Sequence, residues 1–265
     1  MTDHDTLTAL LDELRLRGIA AALAGELERA EHEPVPLAAS LHRLLLEEAH
    51  HRRQRSLVYR LDQARLPWRW TLDTFPFDRQ PGVNRAQIQT LAGLDFVRRA
   101  HNLVLIGNPG TGKTGLAIGL LRQACLNGYR GRFCSAQELL DELYASLADR
   151  STAQLLKRLA RYDVLLIDEL GYLTLKPEQA NAFFKLMDQR YDRASTIITT
   201  NLDYGAWYEL FDKKTLVDAL LDRLQHHCIT LRIEGPSLRA PEPVATAASQ
   251  DPPTKGKRVS QKPRP

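Results

Sequence analysis

A single string constrains the fold of this 265-residue chain more than any other: Gly107-Asn108-Pro109-Gly110-Thr111-Gly112-Lys113-Thr114. It fills the pattern G-x-x-x-x-G-K-[ST] at every fixed position. Glycines there let the backbone curl until successive N–H groups point at phosphate oxygens, in front of a helix whose dipole also favours anions. Such a loop needs a buried strand running in and an amphipathic helix running out. The chain supplies both, in Leu103-Val104-Leu105-Ile106 and in Leu116, Leu120, Leu121 and Ala124. A merely structural glycine-rich turn would need neither flank. In this loop Lys113 offers a point charge to β- and γ-phosphates, and the Thr114 hydroxyl offers a ligand to Mg²⁺.

From Asn102 onward, apolar runs of strand length alternate with helical patterns. Strands are predicted at Leu103–Ile106, Gly131–Cys134, Val164–Ile167, Thr196–Thr199 and Cys228–Ile233, and helices over 113–127, 136–147, 152–160, 177–193 and 214–226. This order predicts an α/β fold with a parallel sheet flanked by helices on both faces. The first hundred residues read as helical. Leu7, Leu10, Leu11 and Leu14 form one stripe, Ile19, Leu23 and Leu27 a second, and a stretch over 37–66 carries Leu41, Leu44, Leu45, Leu57 and Leu61. Pro67 stops it, and the aromatic-rich segment 68–80 reads as a connector that packs down through its rings. The expected organisation is a small all-α N-terminal domain over 1–66, a connector over 67–101, an ATP-binding domain over 102–239 and a disordered basic tail over 240–265, where six prolines fall in 26 residues.

Charge is distributed along the same lines. Lys and Arg number 36 against 32 Asp and Glu, a net +4. Residues 1–42 carry −5, 43–99 carry +5 from arginine alone, 100–239 carry +1 and 240–265 carry +3. Arg52, Arg53, Arg55 and Arg60, with Arg65 and Arg69 further along, fit phosphate contacts to duplex DNA from a helix; a merely solvated helix face fits them equally. No apolar run reaches membrane-helix length, and the start, Met1-Thr2-Asp3-His4-Asp5, is polar and acidic, so a cytoplasmic location without a membrane partner is expected. Cys125, Cys134 and Cys228 have no Cys-x-x-Cys or zinc-type spacing and read as buried free thiols.

A second chemical element lies 55 residues after Lys113, at Asp163-Val164-Leu165-Leu166-Ile167-Asp168-Glu169. Asp168, ending an apolar strand, can hold the shell of Mg²⁺, and Glu169 can orient and activate a water for attack on a γ-phosphate. The doublet favours hydrolysis over transfer to a small acceptor. Asn201, after the strand Thr196–Thr200, is placed to position that water or simply to form a turn. A guanine-reading Asn-Lys-x-Asp is not formed by Asn201-Leu202-Asp203. Arg223 and Arg239 are candidate stabilisers of transition-state charge, Arg223 from a neighbouring subunit.

With these residues in place, the chain resembles the IstB-type helper ATPases of bacterial insertion sequences, AAA+ proteins similar to the DnaC helicase loader and to DnaA. The resemblance rests on Leu14-Arg15-Leu16-Arg17-Gly18-Ile19-Ala20-Ala21-Ala22-Leu23, Leu91-Ala92-Gly93-Leu94-Asp95-Phe96-Val97, the block Leu166 to Leu173, the block Arg190 to Ile197, Thr200-Asn201-Leu202 and Leu220-Leu221-Asp222-Arg223-Leu224-Gln225-His226-His227. It implies Gly107 to Thr114 as Walker A, Asp168 and Glu169 as Walker B, Asn201 as sensor 1, Arg223 as a trans-acting arginine finger and Arg239 as sensor 2. It also implies ATP and Mg²⁺ as cofactors, and duplex DNA, a cognate transposase and further copies of itself as partners. Two positions depart from the pattern: Gly115 stands where the family usually has His, and Gly235-Pro236-Ser237-Leu238-Arg239 replaces a closing Gly-Glu-Ser-Tyr-Arg. The alternatives are a DnaC-like replicative helicase loader, which shares the core but not the Leu-Arg-Leu-Arg-Gly block, and a small-molecule P-loop kinase.

Overall fold

The computed structural model describes residues 3–171, 175–211 and 214–239. Strands β1 (Asn102–Gly107), β2 (Gly131–Ser135), β3 (Val164–Asp168), β4 (Ser195–Thr200) and β5 (Cys228–Ile233) form one sheet in the order β2-β3-β4-β1-β5, with every neighbouring pair parallel. The expected tail over 240–265 and part of the Leu166 to Leu173 block lie outside the described residues.

Alternation along each strand explains why the strands read as continuous apolar runs. Val104, Ile106, Leu165, Ile167 and Ile198 face a core closed by α7 (Ala136–Ala148), α8 (Thr152–Ala160), α9 (Pro177–Arg190) and α11 (Lys214–His226). Leu103, Leu105, Val164, Leu166 and Ile197 face the other way, onto α6 (Lys113–Leu126), α4 (Arg85–Ala92) and α5 (Asp95–Arg98). Local signals set the ends. Ser135 and Glu138 close a capping box on α7, Asn84 caps α4, and Pro177 opens α9.

α1 (Asp3–Glu13), α2 (Arg17–His32) and α3 (Leu37–Gln63) precede the sheet. α2 has no side-chain cap of its own; instead the buried Glu48 carboxylate on α3 accepts from the N–H groups of Gly18 (2.7 Å) and Ile19 (3.3 Å). A Cβ at Gly18 would stand 2.6 Å from Glu48 Cα, so the helices cross this closely only with glycine there. The C-terminal end of α3 then docks on the sheet: Phe133 N–H, on edge strand β2, donates to the Ala64 carbonyl at 2.8 Å. That bond covers an otherwise open edge.

Three expectations shift. Within the connector the segment 85–98 holds α4 and α5, each too short to be delimited by periodicity alone. α9 stops at Arg190 instead of 193, because Tyr191 leaves the helical region (φ −54°, ψ 129°) and Asp192 takes a left-handed φ of 54°. Of the first leucine stripe only Leu11 is buried; Leu7, Leu10 and Leu14 remain exposed, as do Leu41 and Leu45 of α3. Among the described residues no helix is long and apolar enough to cross a membrane.

Candidate nucleotide site

β1 enters the glycine-rich loop at Gly107, and α6 leaves it at Lys113. Gly110 and Gly112 both take left-handed backbone angles (φ 83° and 92°) that a side chain would strain. Inside the loop the Thr111 hydroxyl, almost fully buried, donates to the Asn108 carbonyl at 2.8 Å. Lys113 Nζ donates to the carbonyls of Gly107 (2.7 Å) and Asn108 (2.8 Å). Gly107, Asn108 and Thr111 therefore shape the loop, while Pro109, Gly110, Gly112, Lys113 and Thr114 line a cleft of about 340 Å³.

The carboxyl ends of β3 and β4 bring the remaining chemistry to the same cleft, as parallel strands do in open α/β sheets. Asp168 is 6% exposed and its Oδ1 accepts from the hydroxyls of Thr114 (2.9 Å) and Thr199 (2.5 Å). Burial pushes its pKa above the usual aspartate value, against the pull of those two hydroxyls. The Thr114 hydroxyl and this carboxylate are hard oxygen donors of the type magnesium takes, and a divalent cation beside them would offset the buried charge. The donor set fits the ion. Burial lowers the Lys113 pKa; Asp168 and Glu169 pull it back up, and Arg239 adds to the lowering.

Glu169 sits at a left-handed φ of 60°, which turns the chain out of β3, and its side chain lines the cleft. Its N–H donates to Thr199 Oγ1 at 2.9 Å. Thr199 thus bridges Asp168 and the backbone that aims Glu169, a positioning role that no motif in the sequence announces. Asn201 lines the cleft beside Thr199 and Thr200. Its Oδ1 is buried and has no hydrogen-bond partner among the described residues. A Cβ at Gly171 (φ 144°) would stand 2.6 Å from that oxygen, so glycine there makes room for the amide.

Arg239 reaches the cleft through a clasp. Leu238 N–H donates to the Gly110 carbonyl at 2.9 Å, and fully buried Gln80 donates from Nε2 to the carbonyls of Thr111 (3.1 Å) and Pro236 (3.0 Å). The divergent Gly-Pro-Ser-Leu-Arg ending therefore still delivers its arginine to the cleft. The connector also lines it, through Trp70, Thr71, Thr74, Phe75 and Pro76, none of which carries a recognisable motif.

Arg223 stands elsewhere. On α11 it pairs with Asp188 at 3.0 Å and borders a smaller cavity beside Asn102, the first residue of β1. From there to Gly107 is a strand length, about 16 Å at the usual rise. The four candidate DNA-contacting arginines of α3 divide. Arg52 pairs with Glu48 (2.6 Å), and Arg60 donates from Nε to the Cys125 carbonyl at the end of α6 (3.1 Å). Arg53 and Arg55 are exposed. Cys125 and Cys134 are buried and Cys228 is half-buried; all three are free thiols.

The pattern of IstB-like ATP binding proteins matches residues 9–244. The chain belongs to that family. Among its IstB-like relatives, the ATP-binding protein of insertion sequence IS21 from Pseudomonas aeruginosa is 39% identical over 236 residues, 89% of each chain. That of insertion sequence IS5376 from Geobacillus stearothermophilus is 35% identical over 86% of this chain and 91% of its own. Among solved structures the DnaC helicase loader superposes with a TM-score of 0.55 at 26% identity, covering 64% of this chain and all of that one. The IstB-like match thus takes in the second half of α1, α2 and α3 together with the AAA+ core.

Proposed function

We propose that this chain is a magnesium-dependent ATPase that assembles with further copies of itself on duplex DNA in the ATP state, and hands the target site to a transposase. One observation carries the reading. Lys113, Thr114–Asp168, Glu169, Asn201 and Arg239 gather at one cleft, while Arg223 borders a separate cavity at the other end of β1, which supports its use by a neighbouring subunit's site. Glu169 orients a water and takes its proton as the water oxygen attacks the γ-phosphorus; the bond to the β–γ bridging oxygen breaks, and ADP and phosphate leave. Thr114 and Asp168 would hold Mg²⁺, which would supply positive charge to the phosphates. Lys113 and Arg239 stabilise the spreading negative charge from within the subunit, and Arg223 of a neighbour completes the set.

The insertion-sequence relatives align across the N-terminal helices as well as the core, whereas the DnaC likeness covers 64% of the chain. That difference favours a transposition role over helicase loading. Three unbridged cysteines and work on DNA suit the reducing cytoplasm. Gel filtration and filter binding with duplex DNA, in ATP and in ADP, test the assembly: ATP-dependent oligomers that retain DNA are expected, and a monomer without DNA affinity in ATP would overturn it. Pulldown with a transposase against a replicative helicase tests the partner.

A further inference from the structure

We infer that Trp70 is the stacking wall for the nucleotide base and that Gly115 is its seat. The inference deepens the ATP reading of the cleft and rests on it. Phosphates held by Lys113 and Thr114 leave the nucleoside only one direction, because the γ-phosphate side is occupied by Glu169 and Asn201. The remaining wall is the connector, with Trp70 and Phe75 as its large rings.

Trp70 lies against the first turn of α6. A Cβ at Gly115 would stand 3.1 and 3.3 Å from two ring carbons of Trp70, tighter than ordinary contact, so a side chain at 115 would press on the indole in this place. One turn on, a Cβ at Gly119 would stand 2.7 Å from the Leu72 side chain. The segment 70–72 is thus laid into a furrow made by two glycines of α6. Gly115 thus leaves the volume that Trp70 fills. Trp68 backs the ring, with centroids 5.0 Å apart and planes at 22°. Even so, Trp70 keeps 43% of its surface exposed at the cleft. A buttressed, partly exposed indole that lines the cleft beside the phosphate loop is suited to a base plane, and every base offers such a plane. Trp70 therefore senses that a base is present, without choosing which.

The test compares ADP with inorganic pyrophosphate, which has no base, by equilibrium titration of the full chain with Mg²⁺. Trp70→Ala is expected to weaken ADP about tenfold while pyrophosphate binding stays within about twofold. Trp70→Phe should recover most of the loss, which separates stacking from misfolding. Gly115→His should weaken ADP alone, and should add nothing further in the Trp70→Ala background, since it acts by displacing that ring. Equal losses for ADP and pyrophosphate, or unchanged ADP binding in Trp70→Ala, would overturn the stacking role and leave the nucleotide site standing. Wild-type protein that binds neither ligand would overturn the nucleotide reading, and this inference with it.

Discussion

At the scale of single residues, two buried charges define opposite risks. Burial raises the Asp168 pKa against the pull of two hydroxyls, so the folded state binds its proton more tightly than the unfolded chain does. Between the ordinary aspartate value and the raised one, stability therefore falls as pH rises. Asp168→Asn keeps an oxygen for Thr114 and Thr199 but removes the charge. Without magnesium it should melt above wild type and lose that pH slope, both read by thermal denaturation across pH 4–7, while ATP hydrolysis falls by about a hundredfold or more. Arg190 is the contrary case. Only 1% exposed, it donates to the carbonyls of Leu159 (2.9 Å), Tyr162 (2.8 Å) and Ser195 (2.5 Å) and to Thr196 Oγ1 (3.0 Å), tying α8, α9 and β4 together. Burial lowers its pKa to about 10, which still leaves it protonated at neutral pH. Arg190→Met strands those acceptors, and a loss of about 3 kcal/mol or more is expected in urea unfolding.

At the scale of elements, the connector governs the site as much as the loop does. Gln80 joins it to the P-loop at Thr111 and to the closing segment at Pro236, and so fixes where Arg239 arrives. Gln80→Ala removes both donors from a buried place; a stability loss of about 2 kcal/mol and a severalfold drop in ATP affinity are expected, measured by denaturant unfolding and nucleotide titration. Gln80, Trp70 and Thr199 also mark the limit of what the primary structure announces. The strands and the large helices were legible because burial on both sheet faces demands apolar runs, and because Gly110, Gly112 and Lys113 are fixed by phosphate chemistry. Asp168 and Glu169 were legible as charges closing such a run. The connector's role was not, since Gln80 works through a contact to residue 236 that no local spacing encodes, and Trp70 through a space left empty by Gly115. The same holds for α3: Arg52, Arg53, Arg55 and Arg60 look equivalent in sequence, yet Glu48 and the end of α6 engage two of them.

At the scale of the whole molecule, the proposed function calls on surfaces that lie away from the nucleotide cleft. Arg53 and Arg55 are exposed and, unlike Arg52 and Arg60, are not engaged by Glu48 or the end of α6, so Arg53→Ala/Arg55→Ala should lower DNA affinity and flatten its salt dependence by about 0.9 per lost phosphate contact, with ATP binding unchanged. Unchanged affinity and slope would remove this face from the DNA path. Arg223 poses the sharper question. Its guanidinium lies beside Asn102 at the foot of β1, whereas the phosphates belong at Gly107 on the other end of that strand. A head-to-tail interface can join the foot of one subunit to the cleft of the next, and each site is then built from two chains. Arg223→Ala should bind ATP normally yet hydrolyse it at least a hundredfold more slowly, and Glu169→Gln should do the same for a different reason. Mixed together, the two inactive proteins should regain activity, because an Arg223→Ala subunit keeps Glu169 and can receive Arg223 from a Glu169→Gln neighbour. With random mixing at equal amounts, about a quarter of the interfaces carry both intact groups, so up to about a quarter of the wild-type rate is expected in a phosphate-release assay. A mixture as inactive as its components would confine Arg223 to its pair with Asp188 and leave the neighbour's contribution to another residue.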